Sequence, residues 1–190
     1  MIYFTSDLHF NHDREFIWGA RGFSSVEEMN ETIISRFNSV VGPEDDVYIL
    51  GDLCLGGAGS GALAANKARI ERLNGKLHII RGNHDTETRV AMYESCANVV
   101  APVLWADAIK YKGYHFYLSH FPTLTGNLEK ESLRQCTCNL FGHTHQQNNF
   151  YMDLPYMYHV GVDSHCCMPV PIDTIIEEMI DKVRECLEEI

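Results

Sequence analysis

The sequence predicts an α/β protein in which two mixed sheets pack face to face, with helices on the outside. Two observations carry this prediction. The first half of the 190-residue chain alternates short apolar runs with helical patterns, which is typical of βαβ units and a parallel sheet. In the second half the alternation stops and strand patterns follow one another. The length fits one domain, so we expect a single domain over residues 1–190.

The first half is predicted to contain three strands and three helices. Ser24 and Ser25 are candidate caps of the first helix, whose apolar residues recur at helical spacing as far as Val40. An alanine-rich helix is expected over about residues 62–73, and Thr86 is the candidate cap of a short helix to about Cys96. Short apolar runs bounded by turn residues predict buried strands, and these cover Ile2–Ser6, Asp46–Leu50 and Lys76–Ile80.

The second half is predicted to be mainly strands and to end in a helix. Lys112-Gly113 is a turn signal between two strands, and the last helix covers about Ile172–Glu189 with apolar residues on one face. The strand patterns lie over Asn98–Pro102, Val103–Tyr111, Tyr114–Ser119, Asn139–Phe141 and Met157–Val162. Strands that follow one another without helices favour antiparallel pairing in the second sheet.

Five of the apolar runs lead into residues that can bind a metal ion. These are Asp7-Leu8-His9, Gly51-Asp52, Gly82-Asn83-His84-Asp85, His120 and Gly142-His143-Thr144-His145. In open α/β sheets, ligands bind beyond the carboxyl ends of the strands. Five such groups at five strand ends therefore predict one crevice that is built from distant parts of the sequence.

The candidate ligands combine carboxylate and amide oxygens with imidazole nitrogens. The seven are Asp7, His9, Asp52, Asn83, His120, His143 and His145. This mixture suits Mn²⁺, Fe, Zn²⁺ or Ni²⁺, with Mn²⁺ preferred here, and is too rich in nitrogen for a Ca²⁺ or Mg²⁺ cage. Seven ligands are too many for one ion, so we expect two, with the Asp52 carboxylate as the natural bridge. The glycines at 51, 82 and 142 are expected to let the backbone turn before the ligands, and residues two apart, such as Asp7 and His9, to point the same way in an extended segment.

These motifs, taken in order over residues 7–145, resemble the signature of the calcineurin-like metallophosphoesterases, in particular the small single-domain bacterial or phage-type members. Each block alone is a weak signal, but the ordered set is highly specific. The resemblance implies a four-layer α/β/β/α sandwich. It also implies that one ion binds Asp7, His9, Asp52 and His145, and the other Asp52, Asn83, His120 and His143. A hydroxide bridging the ions would attack phosphorus, and His84 would assist the leaving group.

General chemistry agrees with these roles. Two cations lower the pKa of a shared water and neutralise charge on the phosphate oxygens. His84 is the best candidate for the general acid, because histidine titrates in the right range and this residue is not needed as a ligand. Asn83, His84 and His12 are expected to contact the substrate. Asp85 could orient a histidine or cap the following helix, two roles that the sequence leaves open.

Several other residues receive structural interpretations. Arg14 and Arg21 are expected at the surface, and Arg81 is expected to pair with an acid. The segment Gly56–Gly61 lacks the residues of a P-loop and is interpreted as a rim of the crevice, and the segment 161–165, which contains His165, could line the pocket. The seven cysteines have no repeating spacing and indicate reduced thiols rather than a disulfide framework.

Composition restricts the partners. The formal net charge of −11 opposes unspecific attraction to nucleic acids. No run reaches the ~18 apolar residues of a membrane span, and no signal peptide is apparent. We therefore expect a cytoplasmic protein with a small phosphoester substrate and no membrane partner, and the sequence leaves its oligomeric state open.

Three functions follow, in order of preference. The first is a metal-dependent hydrolase of a small phosphodiester or phosphomonoester, the second a metal-dependent nuclease, and the third a non-catalytic scaffold. The Ser/Thr phosphatase branch of the family typically carries Asp-Arg shortly after its Gly-Asp motif, whereas here Leu53-Cys54-Leu55 follows Asp52. Without that arginine, which would clamp a dianionic phosphate, a diester or a small monoester held by metals is favoured.

Overall fold

The structure is a computed structural model that describes residues 1–57, 59–125 and 132–188. The first half contains β1 (Ile2–Thr5), α1 (Glu15–Trp18), α2 (Val26–Val40), β2 (Asp46–Leu50), α3 (Ser60–Ile70), β3 (Lys76–Ile80) and α4 (Glu87–Glu94). The second half contains β4 (Ala106–Tyr111), β5 (Tyr114–Ser119), β6 (Thr137–Phe141), a 3₁₀ turn (Tyr151–Asp153), β7 (Met157–His159), β8 (Val170–Pro171) and α5 (Ile172–Glu188). The fold is α/β, with two mixed sheets flanked by helices, as the sequence predicts.

The first sheet has the strand order β3-β2-β1-β8. Strands β1, β2 and β3 are parallel, and β8 joins the edge antiparallel to β1. Two of the helices that follow these strands begin at capped residues: at the start of α2 the Ser25 side chain accepts from the Glu28 N–H, and at the start of α4 the Thr86 side chain accepts from the Arg89 N–H. Both caps were predicted, although α4 ends at Glu94 rather than Cys96, and α3 lies slightly earlier than expected.

The second sheet has the order β4-β5-β6-β7, and here the expected antiparallel pairing is wrong for most of the strands. Only β4 and β5 are antiparallel, whereas β5, β6 and β7 run parallel. Parallel neighbours need a long crossover to carry the chain back, which need not be a helix. The connections 120–136 and 142–156 are long enough for this. As a result, β5 and β6 both direct their carboxyl ends toward the same edge.

Two buried clusters hold the layers together. The first packs α2, α3 and α4 on one face of the first sheet, through residues such as Ile33, Val47 and Leu77. The second joins the other face of that sheet to the second sheet and to α5, through residues such as Phe4, Leu118 and Ile175. This burial supports both sheets from within, so the strand ends are fixed relative to one another.

Three further expectations are corrected. Residues Asn98–Pro102 form no strand and make only an isolated bridge between Val99 and Leu77, because the proline cannot donate to a ladder. Strand β4 starts at Ala106, later than the pattern suggested, and β7 ends at His159. The short elements α1 and β8 were not predicted, since four and two residues respectively are too few to show a period. Within the described residues, no helix combines the length and apolar character needed to cross a bilayer.

Candidate metal centre and catalytic cleft

The structure brings all five predicted motifs together at the carboxyl ends of β1, β2, β3, β5 and β6. Backbone hydrogen bonds tie the loops to each other. The Asp7 N–H donates to the Gly51 carbonyl at 3.1 Å, and the Gly142 N–H donates to the His120 carbonyl at 3.0 Å. The His120 ring bridges the two sheets, because its Nδ1 donates to the Leu50 carbonyl at 2.8 Å. This bond places the ring proton on Nδ1, so the lone pair of His120 Nε2, which lies beside Asn83 Oδ1, can bind a cation.

One group of donor atoms surrounds the Asp7 carboxylate. His9 Nε2 and His145 Nε2 lie 3.2 Å apart, and each is 3.8 Å from Asp7 Oδ1. Asp7 is fully buried, and its Oδ1 has no hydrogen-bond partner in the described part of the chain. An unpartnered buried carboxylate oxygen is costly, and a divalent cation would satisfy it. The site therefore fits a metal ion on the evidence of its own polar atoms.

A second group lies on the other side of Asp52. His120 Nε2 is 3.5 Å from Asp52 Oδ2 and 2.8 Å from Asn83 Oδ1, and His143 Nδ1 is 2.9 Å from the same Asn83 oxygen. Asp52 Oδ2 is also 3.8 Å from His9 Nε2, so this carboxylate stands between the two groups. All seven predicted ligands thus contribute an atom to one continuous cluster.

Five of the seven predicted ligands adopt the left-handed backbone conformation. Their φ angles are 57° at Asp7, 52° at His9, 52° at Asp52, 67° at His143 and 49° at His145. The expectation that Asp7 and His9 share an extended segment is therefore wrong, and alternate left-handed residues aim them instead. Strain of this kind, of the order of 1–3 kcal/mol per residue, persists where the surrounding structure enforces it and clusters at functional sites.

The three predicted glycines serve two different purposes. Gly51 has a φ of +93°, as expected for a sharp turn. Gly82 and Gly142 instead allow close approach: a Cβ at Gly82 would collide with Asp52, and a Cβ at Gly142 would collide with Ser6 and the Asp7 carboxylate. A larger residue at either position would displace a ligand.

Asp85 fulfils neither of the roles that the sequence left open. Its Oδ2 accepts from the N–H groups of Asp52 at 3.0 Å and Gly82 at 2.7 Å, while Thr86 caps the helix. The Tyr93 hydroxyl donates to Asp85 Oδ1 at 2.6 Å and also contacts the Cys54 thiol at 3.3 Å. This buried chain fastens helix α4 to the two loops that carry Asp52 and Asn83.

Arg21 is not a surface residue, contrary to expectation. Its guanidinium binds both oxygens of Asp163, at 2.8 and 3.0 Å, and donates to the Asp7 carbonyl at 2.8 Å. Asp163 Oδ2 in turn accepts from His145 Nδ1 at 2.8 Å, which leaves His145 Nε2 available to a metal. Sequence reasoning included Asp163 only within a segment that could line the pocket and assigned it no role.

The pKa shifts of His9, His145 and Asp52 follow from these contacts. Burial, reinforced by the charge of Arg21, lowers the pKa of His9 well below its usual value, so the ring is neutral as a ligand must be. Burial lowers the pKa of His145, but the hydrogen bond to Asp163 and the charge of Asp7 outweigh it and the net shift is upward. Burial raises the pKa of Asp52 against the opposing effect of His120.

The non-ligand histidines lie at different depths. The His84 N–H donates to Asp52 Oδ1 at 2.9 Å, and its partly exposed ring places Nε2 3.9 Å from Asp52 Oδ2. His12 Nδ1 is 3.2 Å from His9 Nδ1, so His12 lies beside the cluster. His165 instead directs Nε2 to the His159 carbonyl at 2.8 Å and stacks on Tyr158.

A cavity of about 500 Å³ opens over the His9 side of the cluster. It is lined by residues of five segments, namely His9, His12, Phe16, Ile17, Ala20, Arg21, His84, His145, Gln147 and Asp163. Gly56 and Gly57 line a neighbouring cavity with Asn11 and Arg14, in agreement with a rim role, while residue 58 lies outside the described residues. Arg81 pairs with Glu87, as expected, and stacks on Trp105.

Known proteins are similar to this chain in sequence. Residues 1–137 match the family described as calcineurin-like phosphoesterase, a range that includes every predicted motif except the one at 142–145. An uncharacterized protein of Methanocaldococcus jannaschii is 35% identical over 95% of this chain and 92% of its own length. The gene 66 protein of Mycobacterium phage L5 is 30% identical over 85% of this chain and 86% of its own.

A solved structure agrees with the fold. A protein of unknown function from Aquifex aeolicus superposes with a TM-score of 0.67 and 24% identity, over 93% of this chain and 98% of that one. The family match covers well over half of the chain, and the strand-end site that the family signature implies is present in the structure. The chain therefore belongs to the calcineurin-like phosphoesterase family, which makes it a metal-associated hydrolase of phosphoester bonds.

Proposed function

We propose that this protein is a binuclear metal-dependent phosphodiesterase that acts on a small substrate in the cytoplasm. The observation that carries the proposal is the pair of donor groups on either side of Asp52, together with the unpartnered Asp7 oxygen. One ion would be held by Asp7, His9, Asp52 and His145, and the other by Asp52, Asn83, His120 and His143. Mixed oxygen and nitrogen donors suit Mn²⁺, with Fe, Zn²⁺ or Ni²⁺ as alternatives.

When bound, two such cations lower the pKa of a shared water and neutralise charge on the phosphate oxygens. The protein's own residues then orient the ester and manage the leaving proton. His84 is fixed by its backbone bond to Asp52, and its partly exposed ring faces the cavity beside the ligand cluster. From there its Nε2–H can donate to the leaving oxygen, and Asn83 and His12 can contact the phosphate.

Charge around the cavity favours a diester over a monoester. A dianionic monoester is best held by a free guanidinium. Among the residues that the structure describes, Arg21 is the one permanent cation that lines this cavity, and it is already bound to Asp163. Arg89 reaches the carbonyls of His84 and Gly56 instead. A singly charged diester needs less compensation, and we therefore expect it to be the better substrate.

The test is hydrolysis of bis-p-nitrophenyl phosphate and of p-nitrophenyl phosphate, with and without Mn²⁺, alongside metal analysis of the protein. We expect metal-dependent cleavage of the diester in preference to the monoester. Asp52→Ala should lose both metal loading and turnover, whereas Asp46→Ala, which alters the aspartate at the far end of β2 from Asp52, should lose neither. Two ions retained by Asp52→Ala would contradict the bridging assignment.

A second variant tests the acid. His84→Ala should keep both metals and slow esters of poor leaving groups more than esters of good ones, because only poor leaving groups need the proton. Equal slowing for both kinds of ester would rule the acid role out. Oligonucleotides form the last comparison: the net charge of −11 disfavours polymer binding, and rapid strand cleavage would favour the nuclease alternative.

A further inference from the structure

One wall of the catalytic cavity is apolar, and nothing in the hydrolytic chemistry requires it. Phe16, Ile17 and Ala20 form this wall, and His9, His12, His84 and His145 line the same cavity. All three belong to α1 or the turn directly after it. A phosphate group needs only the polar side of such a cavity. The apolar wall is therefore expected to contact the organic group to which the phosphate is esterified.

Helix α1 holds Phe16 out of the core. Ile17 and Trp18 pack against the first buried cluster, and since successive helical residues are about 100° apart, this packing turns Phe16 the other way. Phe16 is 68% exposed. Its ring meets the His12 ring edge to face, with centroids 5.8 Å apart and an interplanar angle of 85°. Although single exposed apolar residues are ordinary, this one is placed at a catalytic cavity and beside a second ring.

Gln147 contributes the remaining neutral polar group of the cavity lining. A glutamine amide offers both donors and an acceptor, which suits a heteroaromatic edge better than a hydrocarbon chain. The lining aspartate and arginine are engaged with each other, so the cavity supplies no spare charge for a charged group. A volume of about 500 Å³ lies in the range of sites for one small ligand. These features together describe a pocket for a flat, neutral, hydrogen-bonding ring.

We propose that the substrate is a phosphodiester of a nucleotide, whose base packs on Phe16 and presents its edge to Gln147. This inference rests on the proposed function, because it assigns the organic part of the ester in the same cavity. Base–aromatic stacking is tolerant of sequence, and its loss on alanine substitution weakens binding by about tenfold or more. Phe16 is thus assigned as a specificity-determining residue.

The first experiment measures binding and needs no turnover. Calorimetry compares thymidine 5′-phosphate with methyl phosphate in the presence of Mn²⁺. We expect the nucleotide to bind the unaltered protein about tenfold or more tightly. Phe16→Ala should abolish this advantage, and Phe16→Tyr should keep it. Leu124→Ala is the matched control, because Leu124 is also 68% exposed but lies outside the cavity lining, and it should keep the advantage too.

The second experiment measures turnover of two diesters with the same leaving group, the p-nitrophenyl esters of thymidine 5′-phosphate and of methyl phosphate. Phe16→Ala should raise KM for the thymidine ester alone and leave kcat unchanged. An unaltered thymidine-to-methyl ratio in Phe16→Ala, or no preference in the unaltered protein, would overturn the inference while hydrolysis remained. Preferential nucleotide binding without hydrolysis of either ester would instead support the base site and refute the proposed function.

Discussion

Neutralising Asp163 should weaken metal binding and stability together, and the two effects can be separated. The substitution Asp163→Asn keeps the shape of the side chain and removes its charge. Asp163 is 7% exposed and Arg21 is 4% exposed, so solvent screens their interaction little. Removing one partner of a buried pair typically costs about 3–5 kcal/mol. We expect about 3 kcal/mol, because the asparagine oxygen still accepts one bond.

The effect on the metal arises through His145. Its Nδ1 donates to Asp163 Oδ2 at 2.8 Å, and loss of such a support typically lowers metal affinity by about 10–100-fold. Calorimetric Mn²⁺ titration measures the affinity, and urea unfolding of the metal-free protein measures the stability. Asp46→Asn is the matched control, since Asp46 also binds a histidine, His78 at 2.9 Å, but is 45% exposed. We expect it to change stability by about 0–1 kcal/mol and metal affinity not at all.

A double variant distinguishes a role of Asp163 in positioning His145 from a role in packing alone. In Arg21→Met with Asp163→Asn, the uncompensated buried cation is gone, so stability should largely return. Metal affinity should stay low, because a neutral amide oxygen, even when it accepts from His145 Nδ1, lacks the charge that makes the ring a stronger ligand. If Asp163→Asn alone bound Mn²⁺ as tightly as the unaltered protein, the assignment of Asp163 as the support of His145 would be refuted, whatever its stability.

Three further results are expected. Tyr93→Phe removes the donor to Asp85, and it should lower the free energy of unfolding in urea by about 1.5–3 kcal/mol and also lower Mn²⁺ affinity. The control Tyr158→Phe removes a similar bond to Glu178 and should lower stability only. Equal Mn²⁺ affinities in the two variants would contradict this expectation. Burial lowers the pKa of His159 to about 4, so as the pH falls from 6.5 this histidine takes up a proton in the unfolded chain before it does so in the folded protein. The free energy of unfolding should therefore decline between pH 6.5 and 4, and His159→Gln should reduce the slope of that decline by about 1.4 kcal/mol per pH unit. An unchanged slope would exclude His159 as the source. Gly142→Ala should abolish metal loading, measured by direct metal analysis, because the added methyl group displaces Asp7. The far-ultraviolet circular dichroism should be retained. Normal metal loading would show that the loop can move to accept the methyl group and would contradict this expectation.

Local patterns were enough to predict that the candidate ligand residues come together, because each follows a short apolar run and strand ends converge in open sheets. The supports of those ligands have no such pattern. Arg21 and Asp163 are separated by 142 positions, and neither belongs to a motif, so only the folded chain brings them together. The partner of Asp85 was missed for a different reason. Tyr93 lies within the helix that Thr86 caps, and a tyrosine at such a position is normally interpreted as a residue of the hydrophobic core. The parallel pairing in the second sheet was also missed, because it depends on long connections that have no periodic sequence pattern.

The acids around the site divide into two kinds by the hydrogen bonds they accept. Asp85 and Asp163 have both oxygens engaged by protein donors. Asp7 and Asp52 each have one oxygen held, Asp7 Oδ2 by Ser6 and the His143 N–H, and Asp52 Oδ1 by the His84 N–H.

The second oxygen of each of these two acids lies 3.5–3.9 Å from imidazole nitrogens, which is too far for a hydrogen bond. Each of these two buried carboxylates has one oxygen without a hydrogen bond, opposite His9, His120 or His145, whose other ring nitrogens are already engaged. The protein's own donors therefore leave these oxygens unsatisfied. Because buried charge must be compensated, the acids that the chain satisfies act as supports, and the acids that it leaves unsatisfied are the ones that could hold a metal ion.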